Sequence, residues 1–380
     1  MEPDLALPLL GGLTPAQFMR RHWQKKPLLV RQALPGIAPP LPRAPLFELA
    51  AGDGVESRLV QRVGESWSLR HGPLPRRALP PLSRPGWTLL VQGLDLHVAA
   101  AHELLCRFRF VPAARLDDLM VSYASDGGGV GPHLDSYDVF LIQVHGQRRW
   151  RIGRARDQTL VDGLPLMILR HFEPEQEWLL DPGDMLYLPP HWAHDGVAVG
   201  EGMTASVGFR APGPAEVARE LLARLADAVE PEPSERLYDD AAQPATRTPG
   251  AVPLALHDFA AAALHAALRR PQLLARTLGE WLTEPKAQVW FDAGSGRIAP
   301  THGVVLDRRT RMLYDARHVF INGESFRAGG LDARLLRRLA DQRRLGAAEL
   351  RRCSAEARTM LDDWARAGWL CRDGDAARPR

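Results

Sequence analysis

The sequence predicts a mainly β core of the double-sheet jelly-roll type, followed by a helical stretch and a small mixed end piece. Three observations carry this. Between about residues 87 and 212, short runs rich in β-formers are divided by glycine and proline turns. From 213 to 286 apolar residues recur at helical spacing. From 287 onward short apolar runs, an Asn322-Gly323 turn and two further helical patterns follow one another, the order of a winged helix.

Taken in order, Thr14-Pro15-Ala16-Gln17 supplies a cap, a first-turn proline and a capping-box glutamine for a helix through Trp23, which Pro27 ends. The proline-rich stretch from Pro35 to Pro45 reads as loop. Arg58 to Leu69, with Gly64-Glu65 at its centre, predicts a hairpin, and Trp87 to Gln92 a strand. Asp138 to Val144 is an apolar run of strand length, His145-Gly146-Gln147 reads as a turn, and Arg148 to Ile152 returns as the second strand of a hairpin. Asp181-Pro182-Gly183-Asp184 predicts a turn and Met185 to Leu188 a buried strand that Pro189-Pro190 stops. Val197 to Val199 and Ala205 to Phe209 are expected as two separate strands.

In the second half, Val217, Leu221 and Leu225 mark a helix, and residues 230 to 253 read as a linker rich in Pro, Asp and Thr. Ala-rich helices are expected from about His257 to Leu282, with more apolar surface than a lone pair can hide. The end piece predicts strands at Gly303 to Leu306, Met312 to Leu313 and Val319 to Phe326, then helices at Asp332 to Gln342 and Ala355 to Ala367. Its arginines, among them Arg337, Arg338, Arg343, Arg344, Arg351 and Arg352, are interleaved with Asp332, Asp341, Glu349, Asp362 and Asp363. Direct nucleic-acid binding is therefore not expected.

Composition bounds the class. A chain of 380 residues that is 45% hydrophobic should form two or three domains with a sizeable core. Its three cysteines, Cys106, Cys353 and Cys371, have no metal-binding spacing and suit a reducing cytoplasm. The acidic start and the early Pro8 argue against a signal peptide or a membrane span. Gly127 to Gly131 lacks the Lys-Ser or Lys-Thr of a nucleotide-cradling loop.

The chemistry lies in His133-Leu134-Asp135, answered 59 residues later by His194. Two imidazoles and one carboxylate are the ligand set of a non-haem iron(II) facial triad, which leaves metal positions open for a cosubstrate and O2. In an extended strand His133, Asp135 and Tyr137 would point to one face, so one short strand could supply two ligands. His191 is the rival third ligand, and its place directly after Pro190 favours a loop role. Such ligands fit the mouth of a cupin-type barrel.

The sequence resembles the bacterial ribosomal oxygenases, cupin-like members of the JmjC group of 2-oxoglutarate-dependent hydroxylases. The resemblance rests on His22-Trp23-Gln24-Lys25-Lys26-Pro27, Asp117-Asp118-Leu119-Met120-Val121-Ser122, and Gly129 through Asp135 with Tyr137-Asp138-Val139-Phe140. Arg148-Arg149-Trp150-Arg151, Gly183-Asp184 and Ser206 to Pro212 complete it. It implies a double-stranded β-helix (jelly-roll, cupin, JmjC) catalytic domain over 1–212, with its barrel core at about 87–212. A helical dimerisation region over 213–286 and a winged-helix-like domain over 287–380 follow. It further implies Fe(II) on His133, Asp135 and His194, with 2-oxoglutarate and O2 as cosubstrates. Arg148 would anchor the distal carboxylate of 2-oxoglutarate through two parallel hydrogen bonds, while Arg149 faces solvent.

By the same resemblance Asp118, Met120, Tyr137 and Ser206 form the substrate pocket. Asp118 would pair with a guanidinium, Tyr137 and Met120 flank the methylenes, and Ser206 accept a further hydrogen bond. The implied activity is hydroxylation of an arginine side chain in the sixteenth protein of the large ribosomal subunit, by a cytoplasmic homodimer. Two other classes remain open: a small-molecule cupin dioxygenase, and a non-catalytic regulator that docks through its winged helix. Within the oxygenases a histidyl or lysyl hydroxylase is the nearest competitor, and Asp118 discriminates against it because it suits a guanidinium head.

Overall fold

The computed structural model describes residues 2–229, 237–294, 296, 298, 299 and 301–374. It divides into two compact units, Met1–Ala211 with Ala287–Trp290, and Pro212–Lys286 with Phe291–Arg378.

The first unit is built on one antiparallel sheet of nine strands. In chain order these are β1 (Leu28–Val30), β2 (Ser57–Val63), β3 (Ser66–His71), β4 (Trp87–Val91), β5 (Leu116–Ala124), β6 (Val139–Arg154), β7 (Gln176–Leu180), β8 (Met185–Leu188) and β9 (Trp192–Phe209). The spatial order is β1-β8-β6-β9-β5-β4-β2-β3, and β7 pairs with the far half of β6. Helices α1 (Pro15–Arg21), α2 (Arg43–Leu49), α3 (Leu94–His97) and α4 (Ala99–Cys106) flank it. The capping box read at Thr14 forms as expected, with Gln17 N–H donating to Thr14 Oγ1 and Thr14 N–H to Gln17 Oε1, both at 3.1 Å. Helix α2 begins inside the stretch expected as loop. Pro45 lies in its first turn, where a missing N–H costs no intrahelical bond.

The apolar run Val139 to Val144 does not alternate because both faces of β6 are covered. Phe140, Ile142 and Val144 join a large core with Phe18, Trp23 and Tyr187, whereas Val139 and Leu141 pack with Trp150, Ile152, Leu186 and Leu188.

Two expectations about this sheet are corrected. Residues 138–152 are not a hairpin: β6 is one continuous strand, and both of its halves pair in the same direction with β9. The sequence expected as a turn, His145-Gly146-Gln147, is instead an irregularity in the ladder. Register shifts fall between Gln143, His145 and Gln147, and Gly146 adopts φ 60°. The two strands expected within 197–209 are likewise one, β9, whose 18 residues span both partners.

The register shift also explains which side chains point inward. On β6 the residues facing the interior are Val139 and Leu141 before the shift and Arg148 and Trp150 after it, so the parity changes from odd to even. Without the extra residue Arg148 would turn to the opposite face.

In the second unit, α5 (Pro214–Ala228), α6 (Leu254–Leu268) and α7 (Pro271–Thr283) follow the expected helical spacing. Residues 230–236 of the expected linker lie outside the described residues, as do 295, 297, 300 and 375–380 of the expected end piece. Strands β10 (Val304–Leu306), β11 (Met312–Tyr314), β12 (His318–Ile321) and β13 (Glu324–Arg327) precede α8 (Gly330–Gln342). Then come β14 (Arg344–Leu345), α9 (Ala347–Leu350), α10 (Ala355–Arg366) and β15 (Leu370–Arg372). The strands form two three-stranded sheets, β14-β10-β15 and β11-β12-β13, over a core of Leu335, Leu336, Leu339, Leu361 and Trp364. Among the described residues no helix is long and apolar enough to cross a membrane.

Gly146 tests the β6 account. A Cβ there would collide with the carbonyl oxygen of Glu201, and φ is already in the region that β-branched residues avoid. Gly146→Val should destabilise the first unit by about 3 kcal/mol or more, read from urea unfolding. A stability unchanged from wild type would mean that the bulge does not control this register.

Candidate metal centre

A cavity of about 510 Å³ opens between the two halves of the sheet, and all eight residues singled out from the sequence border it. Asp118, Met120 and Ser122 are alternate residues of β5, and Thr204, Ser206 and Gly208 alternate on β9. The ladder pairs Met120 with Ser206 and Ser122 with Thr204, so the two strands present one continuous polar floor.

His133, Asp135 and His194 converge at one end. One potential ligand atom from each lies within 4.8 Å of the others, and His194 Nε2 is 3.5 Å from Asp135 Oδ2. The strand expected to carry His133, Asp135 and Tyr137 is not regular, however. Residues 134–138 are loop, and His133 makes only an isolated antiparallel bridge to His194 through paired backbone bonds of 3.0 Å. The loop brings the carboxylate round toward the imidazoles, and Tyr137 stands 39% exposed at the cavity mouth.

The imidazole tautomers follow from their partners. His133 Nδ1 lies 2.9 Å from the Gly131 carbonyl and His194 Nδ1 3.0 Å from the Trp192 carbonyl. A carbonyl only accepts, so each Nδ1 carries the proton and each Nε2 keeps its lone pair for a metal. Burial of His194, aided by the neighbouring His133, lowers its pKa to about 4, so the ring is neutral at physiological pH. Two imidazole nitrogens turned toward one carboxylate fit a divalent cation of intermediate hardness. His191 stays outside this group. Its φ of 63° marks a tight turn, and it contributes its N–H, which donates to the Asp135 carbonyl at 2.9 Å.

At the opposite wall Arg148 is 4% exposed. Nη1 donates to Ser122 Oγ at 3.0 Å and Thr204 Oγ1 at 3.4 Å, and Nη2 to the Gly196 carbonyl at 3.1 Å. Thr204 is itself oriented by a 2.8 Å bond to Gln143 Oε1. Nε is buried without a hydrogen-bond partner, and among the described residues Arg148 makes no ion pair. Burial lowers its pKa to about 10, leaving it cationic at neutral pH. The guanidinium also lies 5.1 Å from the centre of the Trp150 ring. Gly196 is required beneath both groups, since a Cβ there would stand 2.6 Å from Trp150 and 2.8 Å from Arg148 Nε. A buried cation that bonds only neutral groups directly, with the Asp195 carboxylate as a more distant counter-charge, fits an anionic ligand of carboxylate type. Arg149 faces outward and pairs with Glu177 at 2.8 Å, as strand alternation predicts.

Among the cavity residues that sequence reasoning missed are Arg58, Gln92, Ser122 and Thr204. Alternation could have found two of them, since Ser122 lies two residues beyond Met120 and Thr204 two before Ser206. Arg58 on β2 and Gln92 just after β4 meet the others only in the folded sheet.

Residues 103–217 match the JmjC domain family and residues 262–371 the ROXA-like winged helix family. The chain is 40% identical over 213 residues to the ribosomal protein uL16 3-hydroxylase of Escherichia coli strain K12, covering 56% of each protein. It is 39% identical over 214 residues to the probable ribosomal oxygenase of Haemophilus influenzae, covering 55% of this chain and 52% of that protein. These alignments span about half the length of the curated relatives. The solved structure of E. coli YcfD superposes with a TM-score of 0.83 at 29% identity, over 95% of this chain and 98% of that one. YcfD in complex with cobalt and 2-oxoglutarate superposes at 0.80 with 30% identity, over 95% and 99%. The chain belongs to the ribosomal oxygenase family of JmjC-domain proteins, with a cupin-like β core, flanking helices and a C-terminal winged helix.

The lowered pKa of His194 has a stability consequence. Between the ordinary value of 6.5 and about 4 the unfolded chain takes up a proton that the folded one refuses. Stability of the metal-free protein is therefore lost as pH falls through that window, by on the order of 3 kcal/mol from this group. Thermal melts from pH 7.5 to 4 should show the loss, and His194→Asn should melt with a shallower pH dependence. Equal slopes for the two proteins would contradict a buried neutral His194.

Proposed function

We infer that the cavity is the active site of an Fe(II)- and 2-oxoglutarate-dependent oxygenase that hydroxylates an arginine side chain of a ribosomal protein, of the uL16 class. The single observation that carries this is the pairing of a two-histidine, one-carboxylate cluster with the buried, unpaired Arg148 cation across one cavity. The relatives named for uL16 hydroxylation and the YcfD complex with cobalt and 2-oxoglutarate support it.

His133, Asp135 and His194 would hold the iron. Once bound, the iron supplies the oxidising chemistry that inserts one atom of O2 into an unactivated C–H bond, while 2-oxoglutarate takes the other and leaves as succinate and carbon dioxide. Arg148 grips the distal carboxylate of 2-oxoglutarate and so fixes the orientation of the keto acid. Ser122 and Thr204 hold the guanidinium in position from below, and Trp150 excludes water from its face. Asp118, 3% exposed on β5, meets the substrate guanidinium. Met120 and Tyr137 flank its methylenes, and Ser206 adds a polar contact on the facing strand. A lysine or histidine head would use only part of this arrangement, since neither offers a planar fork of donors.

We further place the protein in the cytoplasm, in keeping with three free cysteines and a ribosomal substrate, and assign 213–286 to dimerisation. Helix α6 buries none of its residues in the monomer and exposes Leu254, Phe259 and Leu264. Leu264→Glu should shift a dimer toward monomer in sedimentation, and a wild type that sediments as monomer would remove the assignment. Nucleic-acid binding is not part of this proposal, because Arg343 bonds the Asp307 and Thr310 carbonyls and Arg338 and Arg344 pair with Glu349 and Asp373.

The direct test supplies iron(II), 2-oxoglutarate, O2 and an arginine-bearing uL16 peptide. The peptide should gain one oxygen atom on arginine by mass spectrometry, with no gain without 2-oxoglutarate or in His133→Ala. Asp118→Ala should lose peptide hydroxylation by roughly 100-fold, the cost of a buried charge-assisted pair. Hydroxylation surviving in Asp118→Ala would refute the arginine assignment, and wild type producing no succinate would refute the oxygenase.

A further inference from the structure

Behind Asp118 lies a chain of two polar side chains, Gln92 and Arg58, that the reaction itself does not use. Gln92 is the residue directly after β4, tied there by its N–H to the Glu56 carbonyl at 2.9 Å. Its Nε2 lies 3.0 Å from Asp118 Oδ1 and 2.8 Å from Oδ2. Its Oε1 accepts from Arg58 Nη2 at 2.9 Å, and the same Nη2 lies 3.8 Å from Met120 Sδ. Strand pairing makes this arrangement: Arg58 stands opposite Leu90 on β4, and Leu90 opposite Ser122 on β5. Arg58, Gln92, Asp118 and Met120 therefore all border the cavity.

Charge fixes the orientation of the Gln92 amide. Reversed, its oxygen would face a carboxylate and its NH2 a guanidinium, and both contacts would be repulsive. A neutral amide thus separates a cation from an anion. That separation is unusual, because a guanidinium grips a carboxylate with two parallel bonds more strongly than it grips an amide oxygen. Arg58 also has a buried Nε with no hydrogen-bond partner, so its donor capacity is not exhausted where it sits. Arg58 is the same chemical group as the head that Asp118 is argued to receive from the substrate.

We propose that Gln92 is a positioning residue that keeps Arg58 from closing on Asp118, so that the guanidinium of the substrate, and not that of the enzyme, becomes the partner of this carboxylate. The proposal rests on the arginine reading above. Gln92 would set specificity in two ways. Its NH2 group holds both Asp118 oxygens in one orientation toward the cavity, and its side chain occupies the space through which Arg58 would otherwise reach them.

The test is calorimetric binding of a peptide with a single arginine, to protein loaded with manganese(II) and 2-oxoglutarate under nitrogen so that no turnover occurs. Gln92→Ala should weaken binding at least about tenfold, the scale of one lost charge-assisted contact. Arg58→Met should bind as tightly as wild type or more tightly, since the rival cation is gone. The double variant Arg58→Met/Gln92→Ala should recover to within about threefold of Arg58→Met. A merely structural role for Gln92 would not give this rescue. In turnover, Gln92→Ala should raise KM for the peptide while KM for 2-oxoglutarate moves little. Wild-type binding of the arginine peptide, with Gln92→Ala unchanged or with the double variant as weak as Gln92→Ala, overturns this inference and leaves the arginine reading standing. A tenfold loss in Arg58→Met overturns it as well, and that variant serves should Gln92→Ala fold poorly. Wild type that binds no arginine peptide overturns the arginine reading and the inference together.

Discussion

Everything in the cavity hangs on the register between β6 and β9. These are the longest strands of the sheet, and their ladder runs from Val139 opposite Gly208 to Arg154 opposite Trp192. One strand carries Arg148 and the other His194, so the distance between the buried guanidinium and the histidine cluster is set by how the two are aligned. The shift around Gly146 makes that alignment productive. It lets the first half of β6 offer Val139 and Leu141 to the interior and the second half Arg148 and Trp150, although the strand stays continuous. A single residue more or less would exchange Arg148 for Arg149, which here pairs with Glu177 in solvent.

The second constraint is the burial of charge. Arg148, Asp118 and Asp138 are each almost fully removed from water. Such groups persist where other parts of the structure hold them, since desolvation is costly unless hydrogen bonds replace the lost water. Asp138 is satisfied structurally. It accepts from Tyr187 Oη at 2.6 Å, Gln24 Nε2 at 3.2 Å and Arg115 Nη2 at 3.3 Å, and its carbonyl accepts from Phe209 N–H. That network pins the end of the loop that carries His133 and Asp135, and it gives the N-terminal His22 to Pro27 motif a physical purpose through Gln24. Arg148 is only partly satisfied: Ser122, Thr204 and the Gly196 carbonyl hold its two terminal nitrogens, and its Nε stays buried without a hydrogen-bond partner. The cluster of His133, Asp135 and His194 follows the same pattern: two imidazoles oriented by backbone carbonyls meet a carboxylate, an arrangement that could hold a metal ion.

Much of this was legible in the chain. Capping boxes, turn residues and helical spacing are local properties, and α1, the β2–β3 hairpin, β8 and the helices of the second unit appear close to where they were read. The cluster His133, Asp135 and His194 could be named because few side chains bind iron and the surrounding motifs restrict the choice. Two local signals mislead in different ways. His145-Gly146-Gln147 reads as a chain reversal because a glycine with φ above zero serves equally well in a hairpin turn and in a bulge. The loop at 134–138 was taken for strand because His-x-Asp-x-Tyr alternates, and alternation is blind to whether a ladder partner is present.

What the sequence determined by itself was the chemistry on offer: the donor set, the arginine, the acidic and apolar pocket residues, and the order of sheet and helices. What only the tertiary structure decided was which of these face one another. Whether Arg148 or Arg149 points inward depends on a long-range register, and whether Asp118 meets a glutamine or an arginine depends on β2, β4 and β5 lying side by side. The tautomers of His133 and His194 depend on the carbonyls placed beside them. Side-chain identity is written one residue at a time, whereas orientation and neighbours are set by hydrogen-bonded pairing between segments far apart in the chain, and that pairing exists only after folding.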